Sequence, residues 1–154
     1  MLDKNQLEEY IEKFASDNIL NSNSDLTTYP IPRMLNNFET ITKVYNLLNE
    51  HIKQKINIHP AGEWLLDNYY VIEENVKIIQ KELSLKKYKN LVSIGNGAYE
   101  GYARIYVLAA EILAYTENNL NSENLKISLK AYQRKKSLSM EEIWNIETFL
   151  KIIL

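Results

Sequence analysis

Apolar residues along this chain recur at three- and four-residue steps, the period of helices with one buried face. The pattern is densest in HPAGEWLLDNYYVIEENVKIIQKEL, which begins at His59 and ends at Leu83. Pro60 suits a first helical turn, where its missing N–H would be unpaired anyway. Trp64, Leu65, Tyr69, Ile72, Val76, Ile79 and Leu83 form a stripe, and Leu66, Tyr70 and Val71 widen it. The polar remainder is mostly one seam of Glu63, Asp67, Glu74, Lys77 and Lys81. A helix with so narrow a wet face is expected to be covered on most sides. The pattern therefore predicts an all-α fold of about six helices packed around a central helix at about residues 60–83. Trp64, Leu65, Tyr69, Ile72 and Val76 are expected in its core.

The rest of the chain reads in the same way. Asp3 can cap a first helix running to about residue 19, with Leu7, Tyr10, Ile11 and Phe14 on one face. NSNSDLTTYPIP is a polar linker whose two prolines rule out helix throughout. A second helix is expected over about residues 33–56, striped by Leu35, Phe38, Ile41, Val44 or Tyr45, Leu48 and Ile52. After Leu83 a turn or short helical turn should lead into a glycine loop. A fourth helix is expected over about residues 99–116, with Tyr102, Ile105, Tyr106, Leu108, Ala109, Ile112 and Leu113 inside and Asn118 and Asn119 ending it. Ser122 is the expected cap of a fifth, carrying Leu125, Leu129 and Tyr132. Ser139 and Glu142 have capping-box spacing and open a sixth, with Ile143, Trp144, Ile146, Phe149, Leu150 and Ile153. The chain then stops on apolar FLKIIL, without Gly, Pro or a polar tail. Residues 1–154 are therefore expected to be a single domain cut from a longer protein.

Composition narrows the chemistry. Hydrophobic residues make up 45% and charged residues 25%, ordinary for a folded globular chain. Four glycines and three prolines argue against disorder and against a turn-rich β-protein. The net charge of −2 gives no general pull towards nucleic acid or anionic lipid. The absence of cysteine excludes disulfides, thiol catalysis and thiolate metal sites. No apolar run approaches the roughly 20 residues that span a bilayer, and the charged N-terminus carries no signal-peptide core.

Few residues suggest a site. LVSIGNGAYEGYARI resembles a dinucleotide-binding turn, with Gly95 and Gly97 after a β-branched run. The third glycine, Gly101, is one place late, and no second strand follows at βαβ spacing. A tight turn is the better reading. His51 and His59, eight apart, do not match a metal pair and suit surface or capping roles. Lys86, Lys87 and Lys89 with Tyr88 make a basic patch too small for nucleic acid. Glu63 and Asp67 share a helix face, followed by Glu73, Glu74 and Lys77. They read as a solvated seam that also complements the helix dipole. Arg104 stands between Tyr102 and Tyr106 on an apolar helix. It should pair with Glu100, Glu111 or a carboxylate of the central helix, or else bind an anion. Eleven tyrosines and two tryptophans would suit sugar faces, yet at helical spacing they more often fill cores. No catalytic set or metal site is recognised. Glu63, Trp64, Asp67, Tyr102 and Arg104 remain as candidate binding residues, with Asp67 and Arg104 as possible members of one network.

Three long words then carry a resemblance: AGEWLLDNYYVIEENVKII, GAYEGYARIYVLAAEILAYT and LKAYQRKKSLSMEEIWNIETFLKIIL. In this order and spacing they resemble the N-terminal region of cyclic β-1,2-glucan synthases. The family words fall on residues 61–68 with Gly62 inserted, 101–106, 115–116, 131–133 and 138–144. YPIPRMLNNFETITKVYNLL looks like the segment ahead of that core. Ala103 stands where the family usually has Pro, Tyr115 replaces a His, and MEEIW replaces IGELW. The resemblance implies a helical N-terminal portion of a very large inner-membrane glycosyltransferase that builds β-1,2-glucan from UDP-glucose. The parent would be an enzyme, while this fragment would be an accessory, non-catalytic domain with no cofactor of its own. UDP-glucose and a divalent metal are expected for the parent. The expected partner is the transferase domain of the same chain, with glucan as a further one, and neither nucleic acid nor a membrane span. The expected place is the cytoplasmic side of the inner membrane, with the fragment itself soluble. The alternatives are a sugar- or nucleotide-sugar-binding module using Asp67, Arg104 and aromatic residues, or a free-standing helical interaction domain.

Overall fold

The computed structural model describes residues 3–21 and 29–154. Residues 22–28, the greater part of the expected polar linker, lie outside the described residues. The described chain is all-α, with seven helices and a single two-residue strand pair. The helices are α1 (Lys4–Asp17), α2 (Ile31–Lys53), α3 (Pro60–Glu82), α4 (Leu85–Lys89), α5 (Arg104–Tyr115), α6 (Ser122–Gln133) and α7 (Met140–Ile153). Six are the expected helices, and α4 is the short helical turn expected after Leu83. Among the described residues no helix is long and apolar enough to cross a membrane.

The chain divides into two compact units. Pro30–Ser84 forms one, and the chain up to Tyr29 together with Leu85–Leu154 forms the other. The smaller unit is the antiparallel pair α2 and α3. His59 caps α3 by accepting the Ala61 N–H on Nδ1 at 3.1 Å. Gly62 allows a close approach at that turn: a Cβ there would lie 2.7 Å from Ile58 Cγ2 and 3.1 Å from Leu48 Cδ2. The contact between the helices centres on Tyr69. Its ring stacks on Tyr45 at 3.9 Å and on Phe38 at 5.8 Å, and its hydroxyl is 3.0 Å from that of Thr42. Tyr45, rather than Val44, therefore belongs to the inner stripe of α2.

A two-helix unit covers a narrower face than the apolar pattern of α3 implies. Tyr69, Val76 and Ile79 are buried, and Leu65 and Ile72 are half-buried. Trp64, expected in the core, is 60% exposed, and Tyr70 and Val71 are also exposed. The most completely buried helix is instead α5, where seven of 12 residues are shielded.

In the larger unit α1 packs on α6, and α5 packs on α7. Asp3 caps α1 as expected, accepting from the Asn5 N–H at 3.0 Å. The α1–α6 contact buries Leu7 and Ile11, sets Phe14 beside Tyr132, and is edged by Arg134 between Glu8 and Glu12. Asn121, not Ser122, caps α6, because its Oδ1 accepts the Asn124 N–H at 2.8 Å. The capping box opening α7 is complete, with bonds of 3.1 Å from Glu142 N–H to Ser139 Oγ and 3.0 Å from Ser139 N–H to Glu142 Oε1. Trp144, one of the apolar residues that mark this helix in the sequence, points its bulk to solvent while Ile146, Phe149 and Leu150 are buried.

The strands β1 (Leu20–Asn21) and β2 (Ser93–Ile94) pair antiparallel, with Leu20 opposite Ile94. This pair fixes the glycine loop. Gly95 N–H donates to Ile19 O, Gly101 N–H to Ile94 O and Arg104 N–H to Val92 O, at 2.7–2.9 Å. The amides of Gly95, Gly101 and Arg104 are thus used within the fold. Gly97 and Gly101 have φ of +73° and +86°, so the turn needs glycine there. These bonds also delay α5, which starts at Arg104 and not near residue 99.

These burial differences give a direct expectation. Leu108→Ala should cost about 2–5 kcal/mol in urea unfolding, the usual range for truncating a buried Leu. Trp64→Ala should stay within about 0.5 kcal/mol, as for exposed positions. A large loss at Trp64 would contradict the exposed placement.

Candidate functional site

The five candidate binding residues fall into two groups. Glu63, Trp64 and Asp67 lie on α3 and all three are exposed. Glu63 occupies the first turn, where a carboxylate complements the helix dipole. Asp67 lies between Trp64 and Val71, which with Ile78 repeat at seven-residue steps and so line one side of the helix. All three apolar side chains on that line are exposed.

Tyr102 and Arg104 belong to the larger unit. Tyr102 is half-buried, stacked on Tyr106 at 6.1 Å and set edge-on to Tyr99. Arg104 is buried, at 5% exposure, on the first turn of α5. Its expected partners were Glu100, Glu111 or a carboxylate of α3, but its partner is Glu142 on α7. Nε donates to Oε2 and Nη2 to Oε1, both at 2.6 Å, in the two-pronged geometry that guanidinium and carboxylate share. Nη2 also donates to the Ser137 carbonyl at 2.8 Å, and the guanidinium lies 5.9 Å from the Tyr132 ring centre. Burial works against the Arg104 charge, but the hydrogen bonds and negative charge of Glu142 outweigh it and raise its pKa. Lys136 is pushed the other way, by burial and by Arg104 itself, and donates to the Asn18 carbonyl.

Glu142 is itself fully buried, and Oε1 serves both the capping box and Arg104. The S-x-x-E spacing revealed its cap. Its second role needed the meeting of α5 and α7, 38 residues apart in sequence, which local pattern does not contain. Glu111, two turns further along α5, accepts from the hydroxyls of Tyr10 and Tyr99. Tyr10 also stacks on Tyr115, with ring centres 4.7 Å apart. These groups tie α1 and the glycine loop to α5. Among the described residues no group of three His, Cys, Asp or Glu side chains is placed to hold a metal.

No family model matches the chain. One curated protein does. Over 118 residues the chain is 25% identical to the cyclic beta-(1,2)-glucan synthase NdvB of Rhizobium meliloti (strain 1021). The match covers 77% of this chain but 4% of that synthase, so the chain spans a small fraction of the relative's length. The similarity supports a relation between this chain and one region of that protein, in line with the words quoted from its sequence.

The buried pair yields a test. Arg104→Ala should cost about 3–5 kcal/mol, because it leaves the Glu142 carboxylate buried without its partner. Arg104→Met combined with Glu142→Leu should cost less than the sum of the two single changes, as read by urea unfolding. Strict additivity would show that the two side chains do not interact.

A second test uses pH. The bond to Glu111, partial burial and the Glu111 charge raise the Tyr10 pKa from 10.0 to about 12. The folded chain thus holds this proton more tightly than the unfolded chain. The resulting stability is full below about pH 10 and is lost as pH rises through about 12. Tyr10→Phe should make the fall in stability across that window shallower. An identical fall in both proteins would show that the bond contributes nothing.

Proposed function

We propose that this chain is an accessory, non-catalytic helical region of a cyclic β-1,2-glucan synthase-like protein, and that it docks on and positions the transferase portion. The observation that carries this reading is the 118-residue similarity to a synthase of which the chain spans 4%. On this reading UDP-glucose, its metal ion and the membrane helices belong to the remainder of the longer protein. The transferase part would then be the partner, at the cytoplasmic side of the membrane.

Two features support a docking role. In the larger unit Arg104 joins Glu142, and Glu111 is held by two tyrosines, so these charges serve the fold. By contrast, α3 carries the exposed line of Trp64, Val71 and Ile78, with Tyr70 beside it. Exposed aromatic and aliphatic side chains gathered along one helix suit a protein contact, where a Trp anchor contributes strongly.

The test replaces the matching segment of the Rhizobium meliloti synthase with a flexible linker or with this chain. Membranes are then assayed for glucan made from radiolabelled UDP-glucose. Synthesis should fall with the linker and recover with this chain, and Trp64→Asp with Val71→Asp in the graft should prevent recovery. Full synthesis with the linker would refute positioning. Release of UDP from UDP-glucose by this chain alone would refute a non-catalytic role.

A further inference from the structure

The larger unit contains an open cavity of about 820 Å³ where the start of α1, the α5–α6 connection and the start of α6 meet. This lies within the roughly 300–1,000 Å³ range of small-molecule sites. Four asparagines, Asn118, Asn119, Asn121 and Asn124, line it together with Gln6 and Tyr115. Asn124 is the informative one. It is 9% exposed, and its backbone N–H and C=O are engaged by Asn121 and Ser128. Its side-chain carboxamide makes no hydrogen bond to any described residue. Lining the cavity, this amide is free to offer both its donor and its acceptor to a ligand.

The wall chemistry selects the ligand. Asp3, Glu117 and Glu123 face the cavity with one amine, Lys4, which is already paired with Glu123. That excess of carboxylates disfavours phosphates and other anions. No three acidic or imidazole groups among the described residues are placed for a metal. Carboxamides offer a donor and an acceptor side by side, matching adjacent hydroxyls, and an aromatic ring suits the C–H face of a pyranose. Tyr115 is held in place by its stack on Tyr10.

We infer that this cavity binds a neutral saccharide, with Asn124 and Asn119 hydrogen-bonding its hydroxyls and Tyr115 beside its ring. The site uses neither Asp67 nor Arg104, and it goes beyond the docking role without depending on it. The test is an amide NMR titration of the intact chain with β-1,2-linked and β-1,4-linked glucose disaccharides, and with UDP-glucose as an anionic comparison. A disaccharide should give saturable shifts confined to the α5–α6 connection and the first turns of α1 and α6. Asn124→Ala should raise Kd about tenfold, the effect of losing roughly one hydrogen bond. Asn119→Ala, at an exposed position that leaves the fold intact, should weaken binding too. Three results would overturn the inference: no shifts with either disaccharide at millimolar concentration, shifts that persist unchanged in Asn119→Ala, or shifts with UDP-glucose alone. Because the titration uses this chain by itself, its failure leaves the grafting experiment unaffected, and the reverse holds.

Discussion

The guanidinium of Arg104 and the carboxylate of Glu142 are both removed from water, and each is tolerable there because of the other. An isolated buried charge costs several kcal/mol, whereas two short, parallel hydrogen bonds recover much of that penalty. The geometry is demanding, so it constrains everything attached to it. It fixes the first turn of α5 against the first turn of α7. Through Ser137 and the Tyr132 ring it also reaches the connection out of α6 and α6 itself. The capping box adds a further condition, since Glu142 Oε1 must meet the Ser139 N–H as well as Arg104. Apolar packing of Ile105, Leu108, Ile112, Phe149 and Leu150 supplies most of the burial. That packing tolerates small slides, and the ion pair sets the register.

Much of the helical order was legible because it is local. Periodicity marked α1 to α3 and α5 to α7, and the Ser139 and Glu142 spacing found the start of α7. The misses share a cause. Trp64, Val71 and Trp144 are apolar at helical spacing yet exposed, because spacing shows which residues share a face and not how wide a face the neighbours cover. Arg104 drew notice as a charge on an apolar helix, but its partner lies on another helix far along the chain. The glycine loop already read as a tight turn, but the bonds that hold it, to Ile19, Ile94 and Val92, join segments far apart in sequence or outside any periodic pattern. Asn124 had no sequence signal, since an asparagine on a first helical turn is ordinary.

The functional reading follows from where polar groups are engaged and where they are not. In the larger unit the buried charges join helices. The accessible features include an exposed apolar line on α3 and an amide-rich cavity at the start of α1 and α6. The first suits a protein contact and the second a neutral sugar. Both are compatible with a region related to a glucan synthase, and neither requires chemistry to occur here.

Arg104 is committed to Glu142 and so to holding the fold, and is not free to bind a ligand. The most direct measurement is the NMR signal of its Nε–H proton. Committed to Glu142, that proton should exchange slowly with water and keep its shift when UDP-glucose is added. Rapid exchange, or a shift that follows UDP-glucose concentration, would contradict the account.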